Sequence, residues 1–208
     1  MTRHTKRTPY LTATLIALCW GASLALWTGE SVAVNAAQSW RSLPRRELFH
    51  DPFWLYVGWS VVLHSNWPHL ILNTGSLAVC GAALESGWSQ IRFALMVMVS
   101  GFLASTAQAA WLGHGDIGVS GVVYACVGAL AVSQYFDEDF RTRTLHLATA
   151  AILVWLVIGI VREALGTGNI GNISHLTGLG IGVMFAAGNR GLGNAQIDPI
   201  HAPGHSGE

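Results

Sequence analysis

Apolar residues in this chain gather into six long blocks, at roughly 10–28, 69–84, 91–112, 118–136, 145–161 and 173–188. Each block is long enough, or nearly so, to cross a bilayer core as a helix, which takes about 20 apolar residues. No acidic residue falls in the middle of a block, and Glu85 sits at the end of the second. That avoidance is what the cost of a charge in hydrocarbon predicts. The first block has the basic start and apolar centre of a signal peptide, but five more blocks follow it, so it is expected to be kept as a helix. The pattern therefore predicts an all-α integral membrane protein, with six transmembrane helices in one domain over residues 1–188.

The connections differ in character. The stretch 29–68 is long and carries Trp40, Trp54, Trp59 and Trp67 among charges and prolines, a composition suited to lying in the headgroup layer. The tail 189–208 is polar and rich in Gly and Pro and is expected to be disordered and cytoplasmic. No internal repeat is evident.

Composition sharpens this picture. Hydrophobic residues make up 51% of the 208 and charged residues 11%, against roughly 25% charged in an average soluble domain. With the N-terminus inside, Arg3, Lys6, Arg7, Arg92, Arg141, Arg143 and Arg190 fall on the cytoplasmic side and Arg41, Arg45, Arg46 and Arg162 outside. The excess of basic residues predicts both termini inside. A formal net charge of zero, with no long basic block, argues against a nucleic-acid partner. Cys19, Cys80 and Cys126 lie far apart inside apolar blocks, so they read as small buried hydrophobes rather than a disulfide framework or a zinc site. No cofactor or metal is expected, and the bilayer itself is the first partner.

Most polar residues within the blocks are Ser, Thr and Gly, which membrane helices use for close packing. His69, Asn73 and His175 have no such explanation, because an unpaired imidazole or carboxamide in hydrocarbon costs several kcal/mol. His69 and Asn73 open the second block, Ser120 the fourth and His175 the sixth. Alternate helices run the same way, so these residues should share one shallow depth below the outer surface. His69 and Asn73 are four apart and share a helix face.

Small residues should then bring two of these helices together. Gly121, Ala125 and Ala129 follow Ser120 at every fourth position, and Gly178, Gly182 and Ala186 follow the sixth-block histidine with the same spacing. Matching ridges of this kind permit close approach and would set Ser120 beside His175, with Tyr124 one turn below packed on the imidazole. Taken alone, Ser120 reads as a packing serine. Beside a histidine it reads as a nucleophile, the neutral imidazole taking the hydroxyl proton and returning it to the leaving amine. With no carboxylate within the membrane, only a dyad is available. His69, Asn73 and the backbone N–H of Ser120 at a helix N-terminus could donate to the oxyanion.

These residues resemble the rhomboid intramembrane serine proteases. GVSGVVYACVGA, from Gly118, is similar to the family's GxSG motif with its following tyrosine; HLILN at 69–73 to its HxxxN; and HLTGLGIG at 175–182 to its histidine and GxxxG. The likeness extends to His64, to GAALE at 81–85 and to GNISH at 171–175, covering roughly residues 50–188. It implies a six-helix bundle in a bacterial inner membrane that hydrolyses a peptide bond in or near a transmembrane segment of a protein substrate, from a site open to the periplasm. Ser120 and His175 would be catalytic. His69, Asn73, Gly118 and Gly121 would shape the oxyanion site, and Tyr124, Gly178 and Gly182 would support it. The resemblance also implies that the first external loop lies partly in the membrane and that the fifth helix and its loop gate substrate entry. FWLY at 53–56 places Leu55 where many members carry arginine, and NWPHL at 66–70 also resembles rhombosortases, which trim sorting helices.

Other readings are available. A catalytically silent relative would bind or chaperone transmembrane segments, and would be expected to have lost Ser or His. A transporter would need broken helices and a coupling carboxylate within the membrane. A metalloprotease would need HExxH, and the spacing of His64 and His69 does not put two ligands on one helix face. His64 reads as bracing for the loop, and His114 as solvent-facing.

Overall fold

A computed structural model of the chain describes residues 8–29, 53–112, 117–167 and 171–194, and every regular element among them is helical. Seven α-helices follow in order among the described residues: α1 Tyr10–Trp27, α2 Phe53–Val62, α3 Trp67–Gly87, α4 Gln90–Leu112, α5 Ser120–Phe136, α6 Arg143–Ala164 and α7 Asn172–Asn194, with a 3-10 turn at Glu138–Phe140. Among the described residues, three helices are long and apolar enough to cross a membrane: Tyr10–Trp27, Gln90–Trp111 and Arg143–Ala164. Ser120–Phe136 is apolar but shorter.

Each of the six apolar blocks coincides with one long helix. The short α2 adds to them, lying inside the stretch that the sequence presents as a connection. Helix α7 runs on to Asn194, past the end of its apolar block. The basic cluster Arg3, Lys6 and Arg7, the loop residues Trp40, Arg41, Arg45 and Arg46, His114 and the tail beyond residue 194 lie outside the described residues.

Helix ends show why these segments begin where they do. The Asn66 side chain accepts a bond of 2.9 Å from the His69 amide and caps α3, the usual use of Asn at a position where the first N–H groups lack partners. Thr142 does the same for α6 through the Leu145 amide, at 3.3 Å. Helix α1 is capped from outside itself. The buried Glu85 carboxylate near the end of α3 accepts from the Leu11 amide, the Thr12 amide and the Thr12 hydroxyl, each at 2.8 Å. A carboxylate at this position meets both the free amides and the positive end of the helix dipole.

Helix α5 is the centre of the molecule, with every residue from Ser120 to Leu130 buried. Leu70, Leu77 and Leu84 of α3, Phe93 and Met96 of α4 and Ala186 of α7 pack around it in one apolar core. Against α7 the backbones themselves meet. A Cβ on Gly178 would fall 2.0 Å from the Gly121 carbonyl oxygen, one on Gly182 1.9 Å from that of Ala125, and one on Gly128 2.2 Å from that of Leu179. No side chain fits at these three positions, so the contact depends on glycine from both helices. At the far end, Arg92 of α4 donates to the Phe185 carbonyl of α7 at 2.6 Å, with its guanidinium 3.5 Å from the Trp88 ring centroid.

Candidate active site

The close α5–α7 packing sets the starts of the two helices side by side. Ser120 is the first residue of α5, and His175 lies in the first turn of α7. The His175 Nε2 stands 3.1 Å from the Ser120 Oγ, within hydrogen-bond reach, and both residues are buried. Tyr124, one turn into α5, stacks on the imidazole with ring centroids 4.3 Å apart and planes 30° apart. The His175 Nδ1 has no hydrogen-bond partner among the described residues. The ring is therefore held by stacking and by its Nε2 contact rather than by an acid.

Gly118 supplies the turn before the serine. Its φ of +130° lies in a region that side chains rarely adopt, and its amide donates to the Ser60 carbonyl at the end of α2, 2.8 Å away. A Cβ at Gly118 would come 2.8 Å from His69 Cε1, 2.9 Å from His69 Nε2 and 3.6 Å from Asn73 Nδ2. Strain and space thus both require glycine. These distances gather His69 and Asn73 from α3 against the turn that leads into Ser120. The Asn73 carboxamide is buried and its Nδ2 lacks a partner among the described residues. The first turn of α5 adds amide N–H groups to which helical geometry gives no acceptor. Donors from two helices thus gather beside the turn that carries Ser120. Among the described residues no group of acidic, histidine or cysteine side chains is arranged to hold a metal.

All nine residues singled out from sequence take part in this arrangement, Gly121 and Gly178 by touching at the helix crossing and Gly182 one turn further down. Gln108 of α4 joins these nine. Its buried side-chain carbonyl accepts from the Ser174 amide at 3.0 Å, capping the first turn of α7 beside His175. The rule that picked out His69 and Asn73, a large polar group in an apolar block, applies equally to Gln108. Ser174 itself packs against Gly121, where an added Cβ would meet its Oγ at 3.2 Å.

An all-helical protein with helices of membrane-crossing length and a buried serine–histidine pair at one end of the bundle is thereby defined. Residues 51–190 match the Rhomboid domain, and the chain belongs to that family. It is 32% identical over 135 residues to the rhomboid protease GluP of Bacillus subtilis, covering 65% of this chain and 26% of that protein. It is 26% identical over 177 residues to the rhomboid protease GlpG of Yersinia pseudotuberculosis, covering 85% of this chain and 61% of that one. To GlpG of Haemophilus influenzae it is 23% identical over 142 residues, with 68% and 72% covered. The chain thus spans about a quarter of the first relative and about three fifths of the second. Family and apolar helices together make it an integral membrane protein.

Proposed function

We propose that the chain is an intramembrane serine endopeptidase that cleaves membrane proteins in or near their transmembrane segments. The observation that carries this reading is the 3.1 Å approach of His175 Nε2 to Ser120 Oγ inside the bundle. Rhomboid proteases among its relatives support the same reading. The chemistry runs through the neutral His175 tautomer that keeps hydrogen on Nδ1. Its Nε2 takes the Ser120 proton as Oγ attacks the scissile carbonyl, and the proton passes to the leaving amine. Water, activated by the same nitrogen, then releases the acyl group from Ser120. His69, Asn73 and the Ser120 amide donate to the oxyanion, each such donor being worth about 100-fold to 1000-fold in turnover.

In this reading helices α1 and α3–α7 form six spans over residues 1–188, with both termini in the cytoplasm and the Ser120 end opening to the outer face of a bacterial inner membrane. The substrate is a transmembrane protein presented from the bilayer. Labelling with a serine-reactive phosphonate tests the chemistry with no substrate known. The parent should label and should cleave a reporter transmembrane protein; Ser120→Ala and His175→Ala should do neither while remaining folded in detergent. Cleavage retained by either variant would sink the dyad, and a folded parent that never labels would favour a silent segment-binding relative.

A further inference from the structure

His64 lies in the short connection between α2 and α3, fully buried. Its Nδ1 is 3.2 Å from the Val62 carbonyl oxygen and 3.3 Å from the Ser23 hydroxyl of α1. A carbonyl only accepts, so Nδ1 carries the hydrogen and Nε2 is left as a lone pair. That Nε2 is buried with no hydrogen-bond partner among the described residues. For packing alone an apolar ring would serve better, because a buried acceptor left bare is costly. What imidazole adds is the Nδ1–H tether, which fixes the plane of the ring. The ring so fixed stands 5.0 Å from that of His69, centroid to centroid, at 65°. Four residues earlier in the same stretch, the Ser60 carbonyl holds the Gly118 amide. Residues 60–64 thus reach two walls of the oxyanion site, the Gly118 turn through Ser60 and the His69 ring through His64.

We propose that His64 is a positioning residue: tethered to Val62 and to Ser23 of α1, its ring sets the angle at which His69 faces Gly118 and Asn73. The inference rests on the protease reading above. His64→Asn separates the parts, because the Asn amide keeps a donor toward the Val62 carbonyl and removes the ring atoms that meet His69. Turnover should fall about tenfold to 100-fold, the range expected of a small misplacement of a catalytic group, with KM within about twofold. In a His69→Ala background the same substitution should cause no further loss. A merely structural role would instead lower both backgrounds by the same factor. A second readout needs no turnover: in Ser120→Ala protein carrying labelled histidines, His64→Asn should shift the ring carbon resonance of His69. Unchanged turnover in active protein, an equal loss in both backgrounds, or an unmoved His69 resonance would each overturn the proposal. Failure of the parent to label with phosphonate would instead strike the protease reading, and the resonance would still decide whether His64 sets His69.

Discussion

The histidine at position 64 should show itself in stability as well as in turnover. Burial, and next the neighbouring His69 charge, push its pKa down to about 4, only partly offset by the bond to the Val62 carbonyl. An unfolded histidine titrates near 6.5. Between these values the unfolded chain binds a proton that the folded one refuses, so stability falls as pH falls. The titration of His64 therefore costs nothing above about pH 6.5 and progressively destabilises the fold down to about pH 4. The loss at the lower end is about 3 kcal/mol, since each tenfold weakening of proton binding corresponds to about 1.4 kcal/mol. Thermal unfolding in detergent between pH 7 and 4.5 should show His64→Asn losing less than the parent, and identical slopes would mean that the histidine does not titrate with folding. The residues to which we assign the chemistry were legible in the sequence because membrane interiors exclude them: His69, Asn73 and His175 stand out from apolar surroundings. Gln108 stands out by the same rule. The partners that fix them were not legible, since Ser60 acts through its backbone and Ser23 is one of many serines in apolar blocks.

At the level of elements, the crossing of α5 and α7 is the joint on which the site depends. With the Gly178 Cβ position 2.0 Å from the Gly121 carbonyl oxygen, a side chain there has nowhere to go unless a helix moves. The obstacle is backbone rather than a flexible side chain, so Gly178→Val should cost more than the 1–3 kcal/mol typical of an overpacked core, about 3 kcal/mol or above. Separating the helices also carries His175 away from Ser120, and phosphonate labelling should fall with the melting temperature. A variant as heat-resistant and as reactive as the parent would mean that the small-residue contact does not set the dyad. The spacing of Gly121, Ala125, Gly178 and Gly182 is enough to foresee this crossing. It does not reveal Gly128, which meets Leu179 from outside that ridge. Long helices were equally legible, because an apolar block of about 20 residues has few other uses. Helix α2 was not. Its ten residues, FWLYVGWSVV, form a run too short to span, and a short apolar run does not declare its own secondary structure. Only the tertiary bonds its carbonyls accept, Ser60 from the Gly118 amide and Val62 from the Ser23 hydroxyl, show what it is for.

Across the whole molecule, two features bear on how the bundle sits in its membrane. Large apolar side chains such as Ile71, Leu72, Leu147, Val154, Val157 and Met184 lie exposed on the outside of the bundle, where lipid tails would cover them. The two ends can also be told apart. Ser120, His175 and Thr167, in the connection after α6, belong to one end, and the 3-10 turn Glu138–Phe140 after α5 to the other. We propose that the second end faces the cytoplasm, as the excess of basic residues predicts, which would open the Ser120 site outward. The native cysteines allow a direct test, since Cys19, Cys80 and Cys126 are each 0% exposed and should stay silent toward a polar thiol reagent. Thr167→Cys and Asp139→Cys replace exposed residues at opposite ends. A membrane-impermeant maleimide applied to spheroplasts should label Thr167→Cys at once and Asp139→Cys only after the membrane is opened. The reverse pattern would turn the bundle over and place the serine on the cytoplasmic side. Labelling of both without permeabilisation would mean that these ends do not lie on opposite faces of the bilayer, and the six-span arrangement would fall with it.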